Sequence, residues 1–439
     1  MKKLITNWNN YPVVEAREIS FDYEKEIAVK LTRPSIAHGN GRCYGDASLS
    51  AEVISTLRYD KFLTFDEMNG IISCQSGLLL SDLLQVIVPR GWFLPVTPGT
   101  KFITVGGAVA SDVHGKNHHV DGSFSRHILS MSVLTGTGET LVCSATNRSD
   151  LFWATCGGMG LTGIILEITF RLKKINTAFI HQKQIKARNL DEIMSLFEEN
   201  SRYTYSVGWI DCLKSGKNFG RSILILGEHA TGDEVKSGKT LVPKEKALVT
   251  VPFYFPSFVL NGFSVRVFNA LYYSKNYKRV MDGVVHYDSF YYPLDSILGW
   301  NKIYGRKGFV QYQFVLPLAA SKEGLIEILT RINRKGTGSF LAVLKLFGEQ
   351  DDLISFPMKG YTLALDFPIQ PGLFEFLNEL DKIVADYGGR IYLSKDARMK
   401  SEIFWKTYPH VYRFKEILEK YDPENRFVSG LSQRLSLKP

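Results

Sequence analysis

The sequence predicts an α+β protein of two domains, and three observations carry that expectation. The chain has 439 residues, 45% of them hydrophobic, which is enough to bury a full core and to divide into more than one domain. Three glycine-rich loops fall within its first third, set among short strands and helices instead of repeated βαβ units. From about residue 178 the pattern changes, and two strand–helix–strand units follow each other near the end, predicting one antiparallel or mixed sheet with helices on one face.

Taken in order, Lys61–Phe65 and Ile71–Cys74 read as strands around an Asn69-Gly70 turn. Leu80, Leu83, Leu84 and Ile87 stand at helical spacing, with Gly91 as the stop. Ile128–Leu134 and Glu139–Cys143 are strands about a Gly136-Thr-Gly138 turn; Asp150–Thr155 is one helical turn and Ile164–Leu172 a strand. Beyond 178, Asp191–Glu199 is helical, Tyr205–Cys212 and Ser222–Leu226 are strand-like, and 232–246 is a polar connection. Its Gly232 to Gly238-Lys-Thr240 has one intervening residue too many for a P-loop, whose phosphate cradle depends on fixed backbone geometry.

The first repeated unit is Val310–Leu316, a helix through Leu325, Ile328, Leu329 and Ile332 stopping near Gly336, and Ser339–Leu344. The second is Tyr361–Phe367, a helix through Phe374, Leu377, Leu380, Ile383 and Val384 stopping at Gly388-Gly389, and Arg390–Leu393. Lys400–Tyr408 and Tyr412–Tyr421 are helical, and Asp422-Pro423 breaks the pattern.

The glycine-rich stretches are Ala37-His-Gly-Asn-Gly-Arg-Cys-Tyr-Gly-Asp-Ala47, Thr104 to His127, and Gly157-Gly-Met-Gly-Leu-Thr-Gly163. Backbone with few side chains can approach a ligand closely, and its free N–H groups can hold phosphate oxygens. Three such loops predict one large phosphate-bearing cofactor. In the central stretch Gly106, Gly107, Ala108, Ala110 and Ser111 supply closeness, while Asp112, His114, Lys116, His118 and His119 supply chemistry. The glycines argue for a loop there, and without a Cys or carboxylate at ligand spacing the histidines do not predict a metal.

A formal charge of +9 favours an anionic partner, whether a phosphorylated substrate, an anionic membrane face or nucleic acid. With basic residues spread along the chain and no aromatic–basic RNA motif, nucleic acid is not expected. Five scattered cysteines without a Cys-x-x-Cys pair fit a reducing compartment, and the first ten residues lack an apolar run of signal-peptide length, so a cytoplasmic location is expected. No segment reads as a spanning helix. Residues 249–279, rich in Phe and Tyr and ending in Lys275, Lys278 and Arg279, read either as cap-domain core or as a peripheral contact with the inner membrane face.

The three loops, in this order and spacing, resemble the FAD-binding half of the vanillyl-alcohol-oxidase, or PCMH-type, flavoprotein superfamily. Gly41-Arg-Cys-Tyr-Gly-Asp46 and Val113-His-Gly-Lys-Asn-His-His119 resemble its epimerase-type subgroup, the flavin subunits that act on polyprenyl-phosphate-linked pentofuranoses. The resemblance continues through Tyr292-Pro-Leu-Asp295, Gln311-Tyr-Gln-Phe-Val315, Lys345-Leu-Phe-Gly348, Asp366-Phe-Pro368, Tyr392-Leu-Ser-Lys-Asp396 and Tyr408-Pro409. It implies an FAD-binding domain over 1–177, a substrate-binding cap over 178–389, and a segment 390–439 that returns to the FAD domain. For the cofactor it implies contacts from Ala37, His38, Gly39, Asn40, Gly41, Arg42, Cys43, Tyr44, Gly45, Asp46 and Ala47. Gly99, Thr104, Val105, Gly106, Gly107, Ser111, Asp112, Val113, His114, Ile164 and Tyr392 complete that set.

Many relatives attach FAD through a histidine at the position of Arg42; arginine cannot form that bond, so non-covalent FAD is implied. Lys395 matches an active-site lysine, beside which Tyr44 and His114 complete the catalytic set. A lone lysine is otherwise most often a solvated charge. Strand alternation puts Gln311 and Gln313 on one face, where two amides need partners that sugar hydroxyls would supply, unless the strand is a solvent-facing edge. By resemblance Lys116, Lys345 and Lys395 also contact substrate. Mycobacterial members read Trp-Asn-Ile-Cys where this chain has Tyr361-Thr-Leu-Ala364, so the pocket wall differs.

The expected activity is oxidation of the C2 hydroxyl of a polyprenyl-phosphate-linked pentofuranose to a 2-keto sugar. A short-chain dehydrogenase/reductase partner would complete the epimerisation in cell-envelope or surface polysaccharide synthesis. The rivals are a soluble sugar, alditol or aldonolactone oxidase using oxygen, and a non-catalytic flavin-binding subunit.

Overall fold

The computed structural model describes residues 2–235, 240–243, 249–256, 259–336, 338–339 and 341–439. Residues 236–239 and 244–248, which include Gly238 and Lys239 of the P-loop-like spacing and part of the polar connection, lie outside them, as do 257–258, 337 and 340.

Two sheets build the N-terminal part. One runs Lys2–Thr6, Val13–Ser20, Glu52–Ser55, Ile36–His38; the other Phe62–Asp66, Ile71–Gln75, Gly163–Arg171, Ile128–Thr135, Thr140–Cys143. The helix Leu80–Ile87 buries Leu80, Leu83, Leu84 and Ile87, the four residues that mark its period, each stabilising the fold by roughly 1.5–3 kcal/mol. Its 3-10 extension ends at Gly91, whose φ of 76° is the left-handed conformation that halts a helix.

The central glycine stretch departs from the expected loop. Val105–Ala110 is a short helix, with Thr104 Oγ1 accepting from the Gly107 N–H at 3.1 Å, and His118–Asp121 is a further helical turn. Small residues are needed there for packing, since a Cβ on Gly106 would lie 2.8 Å from Ser76 Cβ.

The second part is one eight-stranded sheet in the order Val280–His286, Phe179–Ala187, Ser222–His229, Tyr205–Ile210, Ala342–Phe347, Gly360–Pro368, Phe309–Pro317, Arg390–Ile391, with every pairing antiparallel. The two expected strand–helix–strand units interleave. The strands Phe309–Pro317 and Ala342–Phe347 flank Gly360–Pro368, while Gly360–Pro368 and Arg390–Ile391 flank Phe309–Pro317. Helices Leu190–Glu199, Ser321–Lys335 and Leu373–Asp386 cover one face of this sheet, and the other faces a cavity.

After Ile391 the chain leaves that sheet. The helix Val411–Tyr421 packs on Ser149–Thr155, with Tyr421 and Lys420 both donating to Asp150. Further on, Arg434 pairs with Asp46 and Asp396, both at 2.7 Å, tying the tail to the first glycine loop.

Candidate active site

A cavity of about 710 Å³ lies between the glycine loops and the bare face of the large sheet. Its loop side carries Ala37, Gly39, Asn40, Gly41, Arg42, Cys43, Tyr44 and Ala47, then Gly99, Thr104, Gly106, Gly107, Ser111, Val113 and His114. Its sheet side carries Gln311, Gln313, Lys345 and Ala364, and Tyr392 and Lys395 reach it from the tail; Lys116 stands between the two. Cross-strand register explains the sheet side: Gln311 pairs with Asp366, Gln313 with Ala364, and Lys345 with Thr362, so these polar groups share one face.

The first loop fits a phosphate-bearing group. Gly41 holds a φ of 58°, and the N–H groups of Asn40, Gly41, Arg42 and Cys43 have no acceptor among the described residues. Successive unpaired N–H groups around a left-handed residue form an anion-binding concavity. The second loop differs from expectation: the N–H groups of Val105, Gly106 and Gly107 already donate to Leu78 O, Ser76 O and Thr104 Oγ1. Gly106 and Gly107 therefore offer closeness to a ligand but no free donors.

Arg42 stacks on Trp8, its guanidinium carbon 4.0 Å from the ring centroid. Burial raises the Cys43 thiol pKa, and its sulfur lies 3.3 Å from Ser48 Oγ. The Arg42 guanidinium is no nucleophile toward a flavin, and burial holds the Cys43 thiol toward its protonated, less reactive form.

Lys395 Nζ sits 3.7 Å from the centre of the Tyr44 ring, and the Tyr44 N–H donates to Ser394 O at 2.9 Å. Burial pushes the Lys395 amine down to about 7, against the opposing pull of Asp366. Burial also takes Lys116 to about 7 and Lys345 to about 8. Lys116 donates to the Phe290 carbonyl and lies over that residue's ring. Asp366 accepts from Gln311 Nε2 at 2.6 Å and from the Tyr304 hydroxyl at 3.1 Å, and burial lifts its carboxyl to about 6.

His114 is buried among Phe347, Phe356 and Tyr392. Gln313 Nε2 donates to its Nε2 at 3.1 Å and to Thr362 Oγ1 at 3.2 Å, which makes Nδ1 the protonated nitrogen of the neutral ring; Nδ1 has no protein partner among the described residues. Burial, then the charge of Lys345, holds the imidazole pKa well below its ordinary value, so the ring is neutral.

Six of the expected residues do not line the cavity. His38 turns its Nδ1 to Ser48 O at 2.9 Å, Val105 and Ile164 are core, and Asp46 is held by Arg434. Gly45 lies where a Cβ would meet Asp396 O at 1.8 Å, so it serves close packing of loop on tail. Asp112 accepts from Ser123, Ser125, Gln350 and Ser355, and so orients the central stretch from behind. Conversely, Gln182 and Gln184 line the cavity from the strand Phe179–Ala187, a Gln-x-Gln pair with the same signature as Gln311 and Gln313. Trp209, Tyr272 and Lys275 also line it; the last two belong to the aromatic–basic run 249–279, and no sequence pattern singled out Trp209. No group of His, Cys, Asp and Glu among the described residues is arranged to hold a metal.

Known proteins similar to this chain identify its family. Residues 26–144 match the family model described as "FAD binding domain", and 365–435 match that described as "D-arabinono-1,4-lactone oxidase". The chain is 36% identical to a decaprenylphosphoryl-beta-D-ribose oxidase of Mycolicibacterium smegmatis, over 99% of this chain and 98% of the relative. It is 32% identical to an uncharacterized protein in the mprA 5' region of Streptomyces coelicolor, over 82% of this chain and all of that one. A D-lactate dehydrogenase of Anaerostipes hadrus matches at 34% identity over 27% of this chain and 26% of its own. An FAD-dependent oxidoreductase acting on CH–OH groups, with the α+β fold and PCMH-type loops expected, the chain belongs to the decaprenylphosphoryl-beta-D-ribose oxidase family.

Proposed function

We propose that the protein oxidises the C2 hydroxyl of a polyprenyl-phosphate-linked pentofuranose to a 2-keto sugar. A partner reductase then returns the ketone to the opposite configuration during cell-envelope polysaccharide synthesis. The observation that carries this reading is the convergence of Lys116, Lys345, Lys395, Gln311, Gln313 and His114 on one cavity beside the first glycine loop. Lysine amines that can carry positive charge, together with neutral amides, suit a ligand with one anionic group and several hydroxyls.

In this reading the glycine loops hold FAD, with the unpaired N–H groups of residues 40–43 toward its phosphates. When bound, FAD supplies the two-electron acceptor for the hydride at C2. Lys395 Nζ takes the proton from the C2 hydroxyl, for which an amine held near neutrality is suited. Gln311 and Gln313 orient the sugar hydroxyls, and Lys116 and Lys345 face the phosphate. Asp366 holds Gln311 by its carboxylate, while His114 receives the Gln313 amide and keeps that side chain fixed. The lipid tail makes the protein work at the inner membrane face, although no helix among the described residues is long and apolar enough to cross a membrane.

The match of residues 365–435 to the lactone-oxidase family model supports a second reading, oxidation of a soluble sugar or lactone. Anaerobic bleaching of the flavin's visible absorbance separates the two. Bleaching by polyprenyl-phosphoryl ribofuranose alone is expected; bleaching by free pentoses, alditols or aldonolactones would replace the first reading with the second.

A further inference from the structure

The helix Gly262–Lys275 packs one side against the protein and turns an apolar stripe the opposite way, which the described residues leave exposed. Inward, Val265 and Asn269 are buried; Asn269 donates to Asp211 at 2.9 Å, Tyr273 donates to Ala187 O at 3.3 Å, and Tyr272 packs on Trp209 with ring centres 4.8 Å apart. Outward, Phe263, Val267 and Leu271 stand four residues apart and form one stripe, with side chains 76%, 43% and 68% exposed. Arg266 borders the stripe on one side and Lys275 on the other. Tyr277, just beyond the helix, is 77% exposed.

Charge says what this face meets. From Val249 to Arg279 the sequence contains no Asp or Glu but holds Arg266, Lys275, Lys278 and Arg279. Arg279 pairs with Glu192; the other three make no ion pair among the described residues. Apolar side chains flanked by unneutralised cations match a surface whose charge is negative and whose interior is apolar, which is the boundary of an anionic bilayer. A folded protein partner would need acidic groups spaced to fit this helix, whereas lipid headgroups rearrange to meet them. The position fits as well, because Tyr272 and Lys275 also line the active-site cavity, so the stripe and the cavity share one helix.

From this we infer that the outward face of the helix Gly262–Lys275 docks on an anionic lipid bilayer, bringing the cavity to the headgroup plane where a lipid-linked sugar is presented. The inference rests on the lipid-linked substrate proposed above.

Flotation of the FAD-loaded protein with vesicles tests it. Binding is expected to vesicles containing phosphatidylglycerol and to weaken with salt, and to be absent with phosphatidylcholine alone. Phe263→Ser with Val267→Ser and Leu271→Ser, or Arg266→Glu alone, should weaken binding about tenfold or more. The same variants should bleach normally with a short-chain, water-soluble lipid-phosphoryl ribofuranose but slowly with the long-chain form embedded in vesicles. Retained bound FAD absorbance certifies that each variant is folded. Failure of the wild type to float, or flotation of both variants like the wild type, overturns the inference. So does a dimer in sedimentation velocity that the triple variant converts to monomer, since the stripe then covers a second copy. Flotation without bleaching by any lipid-linked sugar would instead sink the substrate reading, so the two failures are distinguishable.

Discussion

Lys395 Nζ lies 3.7 Å above the centre of the Tyr44 ring, joining the tail segment to the first glycine loop at the cavity. The contact fixes a flexible amine by a cation–π interaction and by the hydrogen bond from the Tyr44 N–H to Ser394 O beneath it. Lys395→Ala should leave FAD bound while slowing flavin reduction by about 10²–10⁴-fold, the usual contribution of a positioned proton-transfer group. Tyr44→Phe keeps the ring beneath the amine and so keeps this contact, and should cost less than tenfold. Stopped-flow reduction under anaerobic conditions measures both, and unchanged reduction in Lys395→Ala would remove it from the chemistry.

The pH dependence of that reduction follows from the same amine. Burial takes Lys395 to about 7, so the neutral form that accepts a proton is scarce below this value and dominant above it. Reduction should therefore accelerate as pH rises through about 7, and Lys395→Ala should lose that limb. Were Lys395 needed only as a cation, the rate would fall over the same interval. Stability shares the sign: the fold holds these lysines with fewer protons than the unfolded chain, so burying Lys116, Lys345 and Lys395 costs most below about pH 7, and this cost is relieved as pH rises.

Some of this site was legible in the sequence and some was not, for identifiable reasons. Gln311 and Gln313 could be read because alternation at period two is a local property of a strand. Gln182 and Gln184 obey the same rule, but His181, Lys183 and Lys186 around them give the strand a solvated look, and only the sheet's placement over the loops shows which face matters. The pairing of Asp366 with Gln311 depends on the register of two strands more than fifty positions apart, which no local pattern encodes. The helix at Val105–Ala110 was hidden because its glycines favour loops when isolated; the Thr104 cap and contact with Ser76 override that preference. The aromatic run 249–279 gave composition but no face, and the helix within it supplies the face.

Asp366 is expected to tune Lys395 without touching substrate. Its carboxylate accepts from Gln311 and Tyr304 and opposes the desolvation of Lys395. Asp366→Asn removes that negative charge, so the Lys395 amine should titrate lower and the acid limb of flavin reduction should move below about 7. The amide can still accept from Tyr304, but an N–H facing Gln311 Nε2 loses a buried bond, at about 1–3 kcal/mol of stability. The pH profile of the reduction rate separates this from a purely structural loss, which would lower the rate without moving the limb.

Behind the cavity, a chain of hydrogen bonds with fixed polarity crosses from the large sheet to the central stretch. The Gly348 N–H donates to His118 Nδ1 at 3.2 Å, which leaves His118 Nε2 to donate to Gln350 Oε1 at 2.8 Å, and Gln350 Nε2 donates to Asp112 Oδ2 at 3.0 Å. Each donor sets the orientation of the next group, so the chain fails if one member is reversed. Gln350→Glu turns an acceptor toward Asp112 and should destabilise by about 3 kcal/mol, more than Gln350→Ala, because it sets two buried carboxylates together. Burial holds His118 at about 4, below its ordinary 6.5, so the fold binds fewer protons there than the unfolded chain. The stability it contributes is complete above about 6.5 and falls as pH drops toward 4. Thermal melts of the FAD-loaded protein from pH 7 to pH 4 should show this decline, and His118→Gln, which cannot titrate, should flatten it; an equally steep decline in that variant would assign the acid sensitivity elsewhere.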